Sequence, residues 1–261
     1  KGGTSAVLLV EKEDTKELFA AKVISISDAI QQNNLANVQR EISIMEEINH
    51  PNIVQYFESF SIFGADEEEY LVIIMEYCEN GDLLTFIDKN GFQSELEKKR
   101  IFLEFLSAVQ YLHKKGIFHG DIKCENLLLG KDLTVKLCDF GFSGHAMSNN
   151  DRKARSGTIY YAAPELFCKG DYNPIKTDIW AIAMTLYTLS ELKFPFEDGD
   201  DYYIANQIVS KKFSRGNYMN DEFWTLFQKC TMSNPDSRPS VDDIINDDYF
   251  DIEETDLPTE F

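Results

Sequence analysis

Residues 119–126 read His119-Gly120-Asp121-Ile122-Lys123-Cys124-Glu125-Asn126, and thirteen residues past Asn126 the chain reads Asp139-Phe140-Gly141. The first stretch sets a carboxylate and an amine two residues apart. Asn126 and Asp139 add an amide oxygen and a second carboxylate, groups that a hard cation accepts as ligands. Short apolar runs at 126–129 and 134–137 flank Gly130. They predict a hairpin that closes the distance between those two groups.

Toward the N-terminus, apolar runs at 7–10 and 18–26 are separated by a polar stretch carrying Asp14 and Thr15, which reads as a strand hairpin. Val38, Ile42, Met45 and Ile48 recur at helical spacing and predict an amphipathic helix over 37–48. Segments 53–60 and 70–75 are strand-like, with the acidic loop Asp66-Glu67-Glu68-Glu69 between them. Past Gly81 the pattern turns helical. Residues 96–115 carry Ile101, Phe105, Ala108 and Leu112 on one face, 180–189 are almost wholly apolar, and 221–230 and 241–245 read as later helices. The expected class is α+β: a small β-sheet lobe with one helix over 1–75, a hinge at 76–82, and a larger, mostly helical lobe over 83–261.

The chain has 261 residues and a formal net charge of -20, a balance that disfavours non-specific binding to nucleic acid. Its 43% apolar content argues for a packed core rather than disorder. No apolar run is long enough to span a membrane. Cys78, Cys124, Cys138, Cys168 and Cys230 are scattered, with no Cys-x-x-Cys pair. That pattern reads as reduced thiols in a cytoplasmic protein. The acidic clusters, among them Asp200-Asp201, Asp242-Asp243 and Asp247-Asp248, read as solvated loops and helix faces, or as attraction for basic partners.

Further motifs extend the pattern. Lys1-Gly2-Gly3-Thr4-Ser5-Ala6-Val7 is a glycine-rich turn entering a strand, where glycines let backbone N–H groups approach phosphates. Ala20-Ala21-Lys22 follows, and Glu41 lies nineteen residues past Lys22 on the predicted helix. Later come Met75-Glu76-Tyr77-Cys78-Glu79-Asn80-Gly81-Asp82, then Gly157-Thr158-Ile159-Tyr160-Tyr161-Ala162-Ala163-Pro164-Glu165, Asp178-Ile179-Trp180 and Arg238. In this order and spacing the set resembles the eukaryotic protein kinase catalytic domain, serine/threonine type, from Gly2 to about Phe250. Its general look is closest to the calcium/calmodulin-dependent group.

The resemblance implies the bilobal kinase fold and transfer of the γ-phosphoryl group of ATP, with Mg2+, to a protein hydroxyl. It implies that Asp121 accepts the hydroxyl proton, Lys123 neutralises the γ-phosphate, and Asn126 and Asp139 hold metal. Lys22 would reach the α- and β-phosphates, paired by Glu41. Gly2, Gly3, Thr4 and Ser5 would cover the phosphates, and Val7 and Ala20 the adenine. Met75 would restrict the rear pocket, and the backbone of Glu76 and Cys78 would bind adenine. Asp82, Glu125 and Leu128 complete the nucleotide-contacting set, and Thr158 marks the acceptor class. On this alignment the motif's first glycine and first strand precede Lys1, so the small lobe is expected to be incomplete at its start.

Three positions depart from the family pattern. Ser5 stands for the third glycine, Ala183 for a glycine of the central helix, and Gly120 for the Arg that in many members pairs with a phosphorylated activation-segment residue. Ala154, where that phosphosite would align, bears no hydroxyl. Activity is therefore expected not to depend on phosphorylation of that segment. A pseudokinase, serving as a nucleotide-binding scaffold or interaction module, is the rival reading. Asp82 and Glu125 suggest protein substrates with basic residues near the acceptor, and Ile159 and Ala162 an apolar pocket after it. No nucleic-acid or membrane partner is expected, while a regulatory partner or flanking domain fits the pattern.

Overall fold

Strands β1 (Ser5–Glu11), β2 (Leu18–Ser25), β3 (Tyr56–Phe63) and β4 (Glu69–Glu76) form one antiparallel sheet, ordered β1-β2-β4-β3, in a computed structural model that describes residues 5–147, 159–168 and 170–251. Register fixes which side chains share a face. Val7 lies opposite Lys22, and Ala20 opposite Met75. Because strand side chains alternate, Ala20, Lys22 and Ile24 point to the same side of β2.

The run predicted as strand over 18–26 ends at Ser25. Its hydroxyl accepts from the Asp28 N–H at 3.1 Å and starts a short helix, α1 (Ile26–Gln31). Helix α2 (Leu35–Glu47) follows, and its buried residues are Val38, Glu41, Ile44 and Met45. The apolar periodicity pointed instead to Ile42, which is only half-buried. The inward stripe is turned to include a carboxylate, which a count of apolar residues does not register.

The segment expected as strand from 53 begins its sheet pairing at Tyr56. Ile53 instead bridges Leu137 in parallel, the Val54 N–H donates to the Leu137 carbonyl at 2.9 Å, and the buried Asn52 donates to the Val135 carbonyl. These residues tie the small lobe to the large one.

The larger lobe is built on α3 (Leu83–Asn90), α4 (Glu95–Lys114), α5 (Pro174–Glu191), α6 (Asp201–Ser210), α7 (Asp221–Cys230) and α8 (Val241–Ile245). Ser94 caps α4 by accepting from the Glu97 N–H, acids occupy its first turn, and His113 and Lys114 its last, all favourable to the helix dipole. Helix α5 opens with Pro174 and is buried along most of its length. Ala183 sits in it at 3% exposure, so the extra methyl is packed rather than exposed. Several acids are spent on local structure. Asp200 caps α6, and Ser240 and Asp243 form a capping box on α8. The short pairs β5 (Ile117–Phe118) with β8 (Gly144–His145), and β6 (Leu127–Leu129) with β7 (Val135–Leu137), frame the loops at 119–126 and 138–143. Among the described residues no helix is long and apolar enough to cross a membrane.

Candidate active site

A cavity of about 390 Å³ lies between the sheet and the β6–β7 hairpin. Ser5, Val7, Ala20 and Lys22 line it from the sheet, and Met75, Glu76, Tyr77 and Cys78 from the connection between the lobes. Asn126, Leu128 and Asp139 line the opposite wall. Glu76 directs its carboxylate away from this task, to Lys136 Nζ at 2.8 Å and the Gln55 N–H at 3.2 Å. Its backbone N–H is also engaged, donating to the Gln55 carbonyl at 2.9 Å.

Lys22 Nζ lies 2.5 Å from Glu41 Oε1 and 3.3 Å from Asp139 Oδ1. Burial alone would depress the Lys22 ammonium, but the Glu41 and Asp139 carboxylates together outweigh it and hold the group above its ordinary value. Burial pushes the Glu41 carboxyl up, and Lys22 only partly offsets this. The 2.5 Å contact favours the ionised pair, since a neutral Glu41 would strip the ammonium of its nearest counter-charge. Burial also works upward on Asp139, yet Lys22 beside it leaves the carboxyl below its ordinary range. Burial raises the thiols of Cys78 and Cys138 to about 12, so both are neutral at physiological pH. The charge of the cavity resides in Lys22 and the carboxylates.

Residues 121–126 fold back on one another through a single turn at Cys124–Asn126. Lys123 Nζ approaches Asp121 Oδ2 at 2.6 Å. Asn126 Nδ2 donates to the Asp121 carbonyl at 2.8 Å and to its Oδ2 at 3.1 Å. Both amide hydrogens are thereby used, which leaves the amide oxygen to offer a cation. Asp139 adopts a φ of 65°, rare for a residue with a side chain, and Phe140 behind it is buried with its ring 5.1 Å from that of His119.

His119 is fully buried. Its Nε2 faces the Cys138 carbonyl at 3.1 Å, which can only accept, and its Nδ1 faces the Asp121 N–H at 3.3 Å, which can only donate. Those partners assign the neutral Nε2–H tautomer. Burial agrees, since it holds the imidazole below its ordinary value. Asp178 accepts from the N–H groups of His119 at 2.8 Å and Gly120 at 3.0 Å and contacts His113 Nε2 at 2.9 Å, bracing the loop from α5.

Gly120 has a φ of +80°, and a Cβ built there would sit 2.5 Å from the Phe142 carbonyl oxygen. Gly120→Ala is therefore expected to cost about 1–2 kcal/mol for the left-handed backbone alone, plus the displacement of the 142 carbonyl. A chemical unfolding curve checks this, and an unchanged midpoint would contradict the close approach.

Not every residue proposed from the motifs lines the cavity. Asp82 accepts from the Thr85 N–H at 2.7 Å and caps α3, while its backbone bridges Leu128. Glu125 accepts from the Tyr161 hydroxyl at 3.1 Å. Gly2, Gly3, Thr4, Ala154 and Thr158 fall outside the described residues. Met45, Val54, Tyr77, Cys138 and Phe140 also line the cavity, although none was expected to contact the nucleotide. Met45 could have been found, because it lies one helical turn past Glu41.

The donor set suits a cation shared with a ligand. Among the described residues no cluster of three or more His, Cys, Asp and Glu side chains could hold a metal. One carboxylate and one amide oxygen beside a cavity are what Mg2+ uses when phosphates supply the remaining oxygens.

The protein kinase domain family model matches residues 1–250. The chain is 32% identical over 245 residues to the serine/threonine-protein kinase kin-29 of Caenorhabditis elegans, covering 94% of this chain and 29% of that protein. It is 33% identical over 235 residues to NUAK family SNF1-like kinase 1 of Homo sapiens, covering 88% and 35%. It is 31% identical over 244 residues to serine/threonine-protein kinase SIK2 of Gallus gallus, covering 94% and 30%. The chain spans about a third of the length of these curated relatives.

Proposed function

The chain belongs to the protein kinase family, and from that premise we propose that it is an active serine/threonine kinase whose activity does not depend on phosphorylation of its activation segment. The observation that carries the reading is the assembled constellation: Lys22 held between Glu41 and Asp139 on one side of the cavity, and Asp121 held by Lys123 and Asn126 beside it. The relatives are consistent with the calcium/calmodulin-dependent group that the sequence resembles.

ATP with Mg2+, when bound, supplies the phosphoryl group and the counter-charge for its transfer. Val7, Ala20, Met75 and Leu128 give the cavity apolar walls for an adenine ring. Lys22 is positioned to meet phosphate oxygens, and Glu41 keeps it charged and aimed. Asn126 and Asp139 would hold the metal. Asp121 orients the substrate hydroxyl and takes its proton, while Lys123, two residues on, places a positive charge where negative charge develops. Phosphoryl transfer asks mainly for such positioning and neutralisation. A pseudokinase needs none of the Asp121–Lys123–Asn126 arrangement, which is what favours the active reading.

Glu125 on the loop surface, with the negative net charge, supports protein substrates carrying basic residues near the acceptor. The test is phosphate transfer to peptides bearing Ser, Thr or Tyr acceptors in basic and acidic contexts, with Asp139→Asn as control. Transfer to Ser and Thr in basic contexts, lost in the control, is expected. Transfer by the control, or none by the wild type, overturns the reading.

A further inference from the structure

Helix α2 touches two places at once. Glu41 faces the cavity and Lys22, while its neighbour Arg40 points toward the chain that follows Gly141. There Arg40 Nε donates to the Ser143 carbonyl at 2.9 Å. Ser143 is itself fully buried, and its hydroxyl donates to the His119 carbonyl at 2.9 Å. His119 in turn accepts from the Asp121 N–H. A continuous path of hydrogen bonds thus runs from α2, through Ser143, to the backbone of Asp121.

Gly120 is what lets this path form. The Phe142 carbonyl occupies the space a side chain at 120 would need. Residues 143–146 then lie directly against the strand before the loop, through the β5–β8 pair and the Ala146 N–H to Gly116 carbonyl bond of 2.8 Å. The activation segment begins docked on the catalytic loop by direct backbone approach.

The geometry points to Arg40 and Ser143 as positioning residues that couple the placement of Glu41 to the placement of Asp121, in the role a phosphate bridge would otherwise fill. This rests on the reading of the chain as a phosphorylation-independent kinase and supplies its structural means. Neither side chain touches the reacting atoms. Displacing α2 breaks the Arg40 bond and the Lys22–Glu41 pair together.

The test compares phosphatase-treated wild type with Arg40→Met, Ser143→Ala, the double variant and Arg40→Lys, measuring kcat and KM for ATP. Arg40→Met is expected to lower kcat roughly tenfold, the scale of one charge-assisted hydrogen bond, and Ser143→Ala about fivefold, the scale of a neutral one, with KM little changed. The double variant should lose no more than the worse single, since both act on one path. Arg40→Lys, which keeps a cationic donor, should recover most of the rate. Hydrogen exchange across residues 35–47 adds a readout independent of activity. Ser143→Ala should speed exchange there although the hydroxyl it removes is bonded to His119 and the carbonyl that meets Arg40 stays in place. Unchanged kcat, additive losses, or unaltered α2 exchange in Ser143→Ala would overturn the coupling. Should Ser143→Ala unfold, Arg40→Met, at a half-buried position, carries the same test by exchange across residues 117–121. An inactive wild type with intact exchange coupling would overturn the kinase reading alone.

Discussion

Asp121→Asn lowers kcat by about a hundred- to ten-thousand-fold, the range that removal of a positioned general base spans. The substitution keeps the shape of the side chain and one oxygen, so Asn126 Nδ2 retains an acceptor near its present 3.1 Å. The Asp121 carbonyl, which receives the other Asn126 bond, is untouched. What goes is the negative charge that draws Lys123 Nζ to 2.6 Å and that, on the proposed reading, would accept the hydroxyl proton. Because Asp121 is absent from the cavity wall formed by Lys22, Met75, Leu128 and their neighbours, nucleotide binding should persist. Steady-state kinetics together with ATP-induced stabilisation against heat separates the two effects. A kcat near wild type would remove Asp121 from the chemistry.

Arg238→Ala destabilises the fold by about 3–5 kcal/mol, the cost of breaking a buried ion pair from one side. The Arg238 side chain is wholly buried and the Glu165 side chain is 13% exposed. The guanidinium meets both Glu165 oxygens at 2.7 Å, the Lys176 carbonyl at 2.7 Å and the Met232 carbonyl at 2.9 Å, and stacks 5.1 Å from Trp180. Truncation leaves the half-buried Glu165 carboxylate with the Thr177 hydroxyl at 3.3 Å and takes a donor from two carbonyls. Denaturant unfolding measures the loss directly. Since Glu165 ends the segment that begins at Gly157, activity should fall together with stability. A loss under about 1 kcal/mol, the scale of an exposed pair, would mean that the pair contributes little.

Much of this architecture could be read from residue order. Lys22 and Glu41 meet although nineteen positions separate them, and the paired runs around Gly130 close as a hairpin. The parts that could not be read share a physical origin. The inward face of α2 contains Glu41, so apolar spacing favoured Ile42 over the deeply buried Ile44. Ile53 looks like strand but bonds across to the other lobe. Asp200 and Asp243 are exposed charge, as the acidic clusters suggested, and cap helices as well, which composition does not register. The deepest case is Gly120. As a letter it reads as a missing cation, whereas in space its positive φ and the Phe142 carbonyl make it a docking point that a side chain would obstruct.

The proposed kinase works without a phosphate on its activation segment. The most direct test is phosphate transfer to a Ser/Thr peptide by protein treated with phosphatase to completion, beside a mock-treated sample. Equal rates for the two samples, abolished in both by Asp139→Asn, are the predicted result. Loss of most activity on dephosphorylation would contradict it.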